Sequence, residues 1–456
     1  MIKVFSHWIH WKTILQVVLD IAFPVVCAAL AVLSWGIGGR ELKTVIVHAS
    51  IYALIMALFN YWLGLYKRTI MQKRARAVLS IYLSLPIAYC VFTLFSVLDD
   101  DNQKLLLLSV MAALVGTVLL GLYTMYSRAG ALMANRVLIF GAGADARTVG
   151  RVLRKSAPDV QIAGFYPGVS ESEISVPRKL LLSRSSSLPD TASALNVNEI
   201  IIAVQERRGG ALPLSELLDC KLSGVNVLDL ASYFERTLGQ IRVDSLKAGW
   251  LIFGDGFRQG WLRTFVKRVF DVVAAAALLL IASPIMLVTV LLIVLEDGFP
   301  VFYRQERVGL NGRLFNVVKF RSMRRDAESD GKPRWAKAND DRITRVGRVI
   351  RKLRIDELPQ LFSVLTGDMS LVGPRPERPY FVDKLTRDIP FYAVRHSVKP
   401  GVTGWAQVSY HYGSSVNDSI QKLQYDLYYV KNHTLFLDLV ILFETVGVVL
   451  TGKGAQ

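Results

Sequence analysis

The sequence predicts a membrane α/β protein in three parts: four N-terminal transmembrane helices, an α/β middle domain and a C-terminal α/β domain. Three observations predict it. Residues 13–36, 44–66, 78–98 and 104–126 are apolar. Each is near the roughly 20 residues that cross about 30 Å of hydrocarbon. Residues 136–146 read RVLIFGAGADA, an apolar strand entering a glycine-rich turn. Residues 351–379 read RKLRIDELPQLFSVLTGDMSLVGPRPERP, an acid pair set among arginines and prolines.

Composition bounds the class. The 456 residues are 52% hydrophobic, with a mean hydropathy of +0.35, too apolar for an ordinary soluble enzyme. The net charge is +17. Nucleic acid is one reading of that surplus. The apolar spans favour anionic membrane lipids and nucleotide phosphates instead, so no nucleic-acid partner is expected. Cys27, Cys90 and Cys220 have no metal or redox spacing and read as small core or lipid-facing residues. No small-residue cleavage site follows the first apolar run, so a removed signal peptide is not expected.

The first 130 residues form the transmembrane region. The loop after the second span carries Lys67, Arg68, Lys73, Arg74 and Arg76, and the next loop carries Asp99, Asp100 and Asp101. Positive-inside logic places the N-terminus and everything after about residue 127 in the cytoplasm. Arg40 and Lys43 in the first loop argue weakly the other way. The spans show no polar residue poised for transport and suit plain anchoring or packing into a homodimer, with lipid handling as the alternative.

Residues 135–230 form the middle domain. Gly141, Gly143 and Ala146 fit G-x-G-x-x-A, a turn whose backbone N–H groups can approach a phosphate at a helix N-terminus. Strands near 161–166 and 199–204, and one near 225–228, continue a βαβ pattern, so the domain reads as Rossmann-like. An acid at the end of the second strand would bind a ribose hydroxyl. Tyr166 and Pro167 stand there, and Asp159 precedes the strand. A structural or regulatory role is therefore expected over a bound dinucleotide.

Residues 231–262 read as a linker, in which Trp250, Phe253, Phe257 and Trp261 suit either a membrane interface or ordinary packing. The last domain spans 263–456. Its apolar run, 265–295, is interrupted by Ser283 and Pro284. A fifth transmembrane helix would carry the acid pair across the membrane. Basic residues flank both ends: Lys267 and Arg268 before, Arg304 and Arg307 after. Proline removes a backbone hydrogen bond, and serine can re-satisfy freed groups locally. These features predict a re-entrant helix–break–helix that enters and leaves by one face. Two strands, 300–309 and 314–323, follow with an Asn311-Gly312 turn. Residues 324–341 read as a mobile charged loop. Val346, Val349, Ile350 and Leu353 recur at helical spacing opposite arginines, an amphipathic basic helix suited to a membrane surface or to a solvated flank. The apolar 435–450 run, interrupted by Asp438 and Glu444, reads as a core or interfacial helix.

The acid pair carries the chemistry. Pro359 is tolerated in a first helical turn, so Asp356 is expected at or just before a helix N-terminus, which would keep it ionised. A carboxylate can attack phosphorus and form an acyl-phosphate. Glu357 would then bind Mg²⁺ across diphosphate oxygens. An N-cap aspartate beside a dipole-favouring glutamate is the bland alternative. Arg375 is the favoured phosphate clamp, its guanidinium offering a fixed fork. Arg351, Lys319, Arg321 and Arg378 are further candidates, each with a surface salt bridge as the alternative. His396, His411 and His433 show no metal spacing.

DELPQ at 356–360, GDMSLVGPRPE at 367–377 and KPGVTGWAQV at 399–408 together resemble the polyprenyl-phosphate sugar-1-phosphate transferases, the monotopic phosphoglycosyl transferases of bacterial surface-polysaccharide pathways. The likeness runs from about residue 261 to the C-terminus. It implies that the C-terminal domain is catalytic, with Asp356 as nucleophile, and that the re-entrant helix belongs to it. It implies nucleotide contacts near Lys399, Gly401, Thr403 and Gly404. It also implies the substrates, a UDP-sugar and undecaprenyl phosphate, with UMP released at the bacterial inner membrane. Large members similarly carry a Rossmann-like domain, and by analogy with them the sugar is glucose or galactose.

Overall fold

The computed structural model describes residues 2–4, 7–9, 11–34, 39–62, 66, 70–98, 103–126, 135–156, 160–168, 171, 173–204, 212–243, 260–324, 342–410 and 415–450. Lys67, Arg68, the aspartates at 99–101, Asp159, Trp250, Phe253, Phe257, residues 325–341 and His411 lie outside the described residues. The chain divides into two units, one of residues 1–2 and 9–233, the other of residues 3–8 and 234–456. Strands β1 (Ile2–Val4) and β2 (His7–Ile9) pair at the start of the chain.

The first unit opens with four apolar helices, α1 (Trp11–Ser34), α2 (Gly39–Trp62), α3 (Ile70–Leu98) and α4 (Gln103–Tyr126). Of these, α1, α2 and α4 are long and apolar enough to cross a membrane, and the apolar part of α3 is the shorter run Ser80–Leu94. Small residues at the seams, Ala28, Ala49, Ala88 and Ala113, are buried and let the backbones approach. Asp20 accepts hydrogen bonds from Tyr66 (2.6 Å) and Asn60 (3.3 Å), and Ser80 donates to Asn60. The spans are therefore tied by a polar cluster that no periodicity announces.

The rest of the first unit is α/β. Strands β3 (Asn135–Phe140), β4 (Val160–Tyr166), β5 (Glu199–Ile202) and β6 (Asn226–Asp229) form one parallel sheet in the order β4-β3-β5-β6. Helices α5 (Ala144–Ser156), α6 (Leu188–Ala194) and α7 (Leu214–Leu222) alternate with them, and α8 (Leu230–Leu238), which follows β6, runs past the end of this unit at Tyr233. Leu138, Phe140 and Ile200 are buried in the core, as a sheet covered on its faces requires.

The second unit is built on α9 (Trp261–Asp297), whose 37 residues make it about 55 Å long. The expected break at Ser283-Pro284 is not a break: the helix continues through it. Pro284 has no N–H to give to Leu280 O, four residues back, and the Ser283 hydroxyl donates to that carbonyl instead, at 2.8 Å. Both ends of α9 are held by the same unit. Near the start, Arg268 donates to Val364 O and Leu365 O, and Asp271 accepts from Leu371 N. At the far end, Glu296 accepts from Arg345 N and Val346 N. Between them Leu280, Ile281 and Leu287 are 77%, 73% and 70% exposed.

Strands β7 (Phe302–Val308) and β8 (Leu314–Phe320) form an antiparallel hairpin, with Asn311 and Gly312 at positive φ in its turn. There follow α10 (Arg345–Lys352), α11 (Gln360–Thr366), β9 (Ser370–Val372), α12 (Pro379–Asp388), β10 (Gly401–Thr403), α13 (Trp405–Ser409), α14 (Val416–Asn432) and α15 (Leu435–Leu450). A capping box of Ser415 and Asp418 starts α14, whose Leu423 and Leu427 enter the core with Leu437 and Ile441 of α15. Asp438 on α15 is fully buried, paired with Lys267 at 2.7 Å. The expected linker is partly core: Ile241 and Val243 are buried in this same cluster, and Ile241 N donates to Gln424 O.

Candidate active site

The acid pair sits on its own short turn. After α10, Arg354 adopts a left-handed φ of 59°, reversing the chain into a 3₁₀ turn, Ile355–Glu357. Pro359 then leads into α11. Of the two positions expected for Asp356, at or just before a helix N-terminus, the structure shows the second: the acids precede α11 on a separate turn.

That turn separates two neighbouring carboxylates. Glu357 is buried, and its Oε1 accepts from Lys319 Nζ of β8 and Arg375 Nη2 of the loop after β9, both at 2.8 Å; Arg354 Nη1 lies 3.9 Å away. Burial opposes its charge, but Arg375, Lys319 and Arg354 hold the carboxyl well below the usual range. Asp356 is half-buried and has no hydrogen bond or ion pair within 4 Å among the described residues. Burial and the charge of Glu357 push its carboxyl up, against the opposing pull of Lys319, Arg351 and Arg354. The expected ionising helix end is therefore outweighed by burial.

Of the predicted clamp residues, Lys319, Arg351 and Arg375 converge on the acids. Arg378 caps α12 and lies within electrostatic reach of Arg307, whose guanidinium burial pushes down. Arg321 goes elsewhere. It lies beyond the end of β8 and is buried against the end of α9, donating to Asp297 O (3.0 Å) and Gly298 O (2.6 Å) and pairing with Asp297 Oδ2 (3.1 Å). It fastens the helix and does not face the acids.

The KPGVTG segment packs beside the loop that carries Arg375. Gly401 and Thr403 lie in β10, parallel to β9. A Cβ on Gly401 would stand 2.0 Å from Gly373 N, and one on Gly404 2.1 Å from Gly373 O. These glycines permit strand-to-strand approach. Thr403 is buried and shares a 2.7 Å hydrogen bond with Thr445. Lys399 lies beside Gly367 and Arg268 at the C-terminal end of α11, the opposite end from the acids. The segment also braces the Arg375 loop: Gly401 N donates to Pro374 O, and Gly373 N to Thr403 O.

The residues missed by the sequence reading lie behind that loop. Arg395, Asp426 and Tyr392 are all buried, and Arg395 reaches the carbonyl of Arg375. The one signal was Asp426 among the apolar positions of α14. His396 and His433 are both pushed down to about 4, chiefly by burial, and neither faces the acids.

In the middle domain the glycine turn already holds an anion. Glu171 accepts from Ala142 N (2.6 Å), Gly143 N (3.2 Å) and Gly168 N (3.0 Å). Of the motif residues Gly141, Gly143 and Ala146, Gly143 gives its N–H to this carboxylate, and Gly141 N donates to Tyr166 O.

Magnesium can be tested on the donor set. Among the described residues no three His, Cys, Asp or Glu side chains cluster to hold a metal. Mg²⁺ commonly uses one or two carboxylates together with substrate phosphates and water. Asp356 and Glu357 Oε2, which has no partner among the described residues, fit an ion shared with a diphosphate.

The second unit thus sets an unpaired carboxylate and a ring of guanidinium and ammonium groups in a domain built on a helix long and apolar enough to cross a membrane. The family model for bacterial sugar transferases matches residues 262–452. Over 240 residues the chain is 45% identical to an Aeromonas hydrophila protein named UDP-N-acetylgalactosamine-undecaprenyl-phosphate N-acetylgalactosaminephosphotransferase; the match covers 53% of this chain and 56% of that one. It is 46% identical over 191 residues to the uncharacterized sugar transferase EpsL of Bacillus subtilis, covering 42% of this chain and 90% of that one. It is 44% identical over 193 residues to a Caulobacter vibrioides UDP-glucose:undecaprenyl-phosphate glucose-1-phosphate transferase, covering 41% and 71%. The chain belongs to the bacterial sugar transferase family.

Proposed function

We propose that the protein transfers a sugar-1-phosphate from a UDP-sugar to undecaprenyl phosphate, releasing UMP and starting a surface glycan. The observation that carries this is the split within the acid pair: Glu357 holds Lys319 and Arg375, and Asp356 is left unpaired beside them. An Asp356 oxygen attacks the phosphorus that bears the sugar. The bridging bond to UMP breaks, and UMP leaves with that oxygen. An oxygen of undecaprenyl phosphate then attacks the aspartyl phosphosugar. The acyl-phosphate bond breaks, giving undecaprenyl-diphospho-sugar and restoring the Asp356 carboxylate. Lys319 and Arg375 turn from Glu357 to the donor's phosphate oxygens, and Arg351 adds positive charge beside the attack. Mg²⁺, held by Glu357, would offset diphosphate charge when bound.

Several features support the membrane setting. Both ends of α9 are bonded to the same unit while its apolar middle is exposed, which suits a helix that enters and leaves one face. The basic loop after the second span favours a cytoplasmic site at the inner membrane. The parallel sheet supports a Rossmann-like middle domain, with a structural or regulatory part to play.

Purified protein in nanodiscs with Mg²⁺, undecaprenyl phosphate and a panel of UDP-sugars, assayed for UMP against UDP, tests the reaction. UMP from one donor, lost in Asp356→Asn, is expected and names the sugar, on which the relatives differ. UDP release, or full activity of Asp356→Asn, overturns the aspartyl route.

A further inference from the structure

In the loop that carries Arg375, Pro374 and Pro376 are buried on either side of it, while Arg375 itself is only half-buried. The loop follows β9, and its backbone is held on both sides of Arg375, at Pro374 O by Gly401 N and at Pro376 O by Arg307, which leaves the carbonyl of Arg375 itself to be placed. Behind it lies a buried guanidinium. Arg395 Nε and Nη2 both donate to Asp426 Oδ2, at 3.0 and 2.8 Å. Its Nη1 donates to the Tyr392 hydroxyl at 2.9 Å. The same Nη2 donates to the backbone carbonyl of Arg375, at 2.9 Å. Arg395 is 5% exposed and Asp426 2%. Burial pushes the Asp426 carboxyl up against the pull of Arg395, and against its own burial the Arg395 guanidinium is held up by Tyr392 and Asp426.

We infer that Arg395 is a positioning residue for phosphate capture: anchored by Asp426 and Tyr392, it sets the backbone of Arg375 so that the Arg375 guanidinium meets the acid pair. This rests on the phosphosugar-transfer reading above. The geometry favours it over plain core filling in two ways. A buried charge pair is no better for stability than well-packed apolar side chains of the same volume. Its outward hydrogen bond goes to the main chain of the one residue whose side chain reaches Glu357 from this loop. Lysine at 395 would keep a charge near Asp426 but has no fork with which to hold Asp426, Tyr392 and the Arg375 carbonyl together.

The test is a double-mutant cycle in the full-length protein in nanodiscs. UMP release is followed with UDP-glucose and UDP-N-acetylgalactosamine for the wild type, Arg395→Lys, Arg375→Lys and the double variant, alongside thermal unfolding. Arg395→Lys is expected to lower kcat/KM by about 10- to 100-fold, the scale of a misplacement near 1 Å. In the Arg375→Lys background the same change is expected to cost less than about threefold, because coupled residues are not additive. Full multiplication of the two losses, or an Arg395→Lys enzyme as active as the wild type, overturns the inference. A wild type that releases no UMP overturns the reaction itself and is told apart in the first lane. If Arg395→Lys does not fold, Tyr392→Phe, which removes only one support of the guanidinium, takes its place in the cycle with a smaller expected loss and the same criterion.

Discussion

Asp356 and Glu357 are adjacent in sequence and titrate in opposite directions: burial and its neighbour's charge push Asp356 above its ordinary 3.8, while Arg375 and Lys319 hold Glu357 well below 4.5. A nucleophile must be ionised to attack, so the acid limb of kcat/KM for UMP release is expected above pH 3.8. A limb at or below that value would mean that the titrating group does not sit in this environment.

The raised Asp356 also makes a stability prediction. Its folded form binds a proton more readily than its unfolded form, so its ionisation costs stability once the pH rises past its ordinary value. Asp356→Asn is expected to unfold at the same or a higher temperature than the wild type. Its UMP release should fall on the order of 10⁴-fold or more. A clearly less stable variant would contradict the unpaired carboxylate.

Glu357→Gln acts the other way. The lowered carboxyl contributes stability that is present above its ordinary 4.5 and is lost as the pH falls through its folded value. The variant leaves Lys319 and Arg375 facing a neutral amide in place of their shared carboxylate charge and is expected to lose roughly 1–3 kcal/mol at neutral pH. Chemical denaturation at neutral and acid pH would show the gap between variant and wild type narrowing on acidification.

Gly401→Ala separates support from ligand contact. Its new Cβ would fall 2.0 Å from Gly373 N, which is backbone and cannot swing aside. A loss of about 1–3 kcal/mol or more is expected from the overpacking. Stability and UMP release should fall together; a variant of normal stability with only a raised KM for the donor would restore Gly401 to a nucleotide-contact role.

Excess NAD⁺ is expected to leave the thermal unfolding of the intact protein unchanged, because Glu171 occupies the glycine turn. In Glu171→Ala, hydrogen exchange at the amides of Ala142, Gly143 and Gly168 should quicken, since each loses its acceptor. Unchanged exchange would show that the carboxylate does not hold the turn in solution.

The parts legible in the sequence were those with a local signature. Apolar length marked the helices, and Asn311-Gly312 marked the hairpin. The acid pair announced itself by the density of arginine around it. What stayed hidden depends on partners distant in the chain. Glycines at 401 and 404 look the same whether they admit a ligand or another strand, and only the nearness of Gly373 decides. Glu171 lies well outside the glycine motif it fills. Ile241 and Val243 are too few to show a period, so a piece of core read as a linker. The Ser283-Pro284 pair was read as an interruption, because the sequence does not say that the hydroxyl takes over the carbonyl that proline abandons.

Helix α9 is fastened at its start through Arg268 and at its end through Arg321. It cannot slide along its axis without dragging α11 and β8, the elements that adjoin the acid turn and carry Lys319. Like a keel, it sets the draught of the whole domain: wherever the apolar middle of α9 comes to rest, the height of Asp356 above it is already decided. On the proposed function, a thicker or thinner lipid layer would change how the helix is covered and leave the distance from it to the acid pair unchanged.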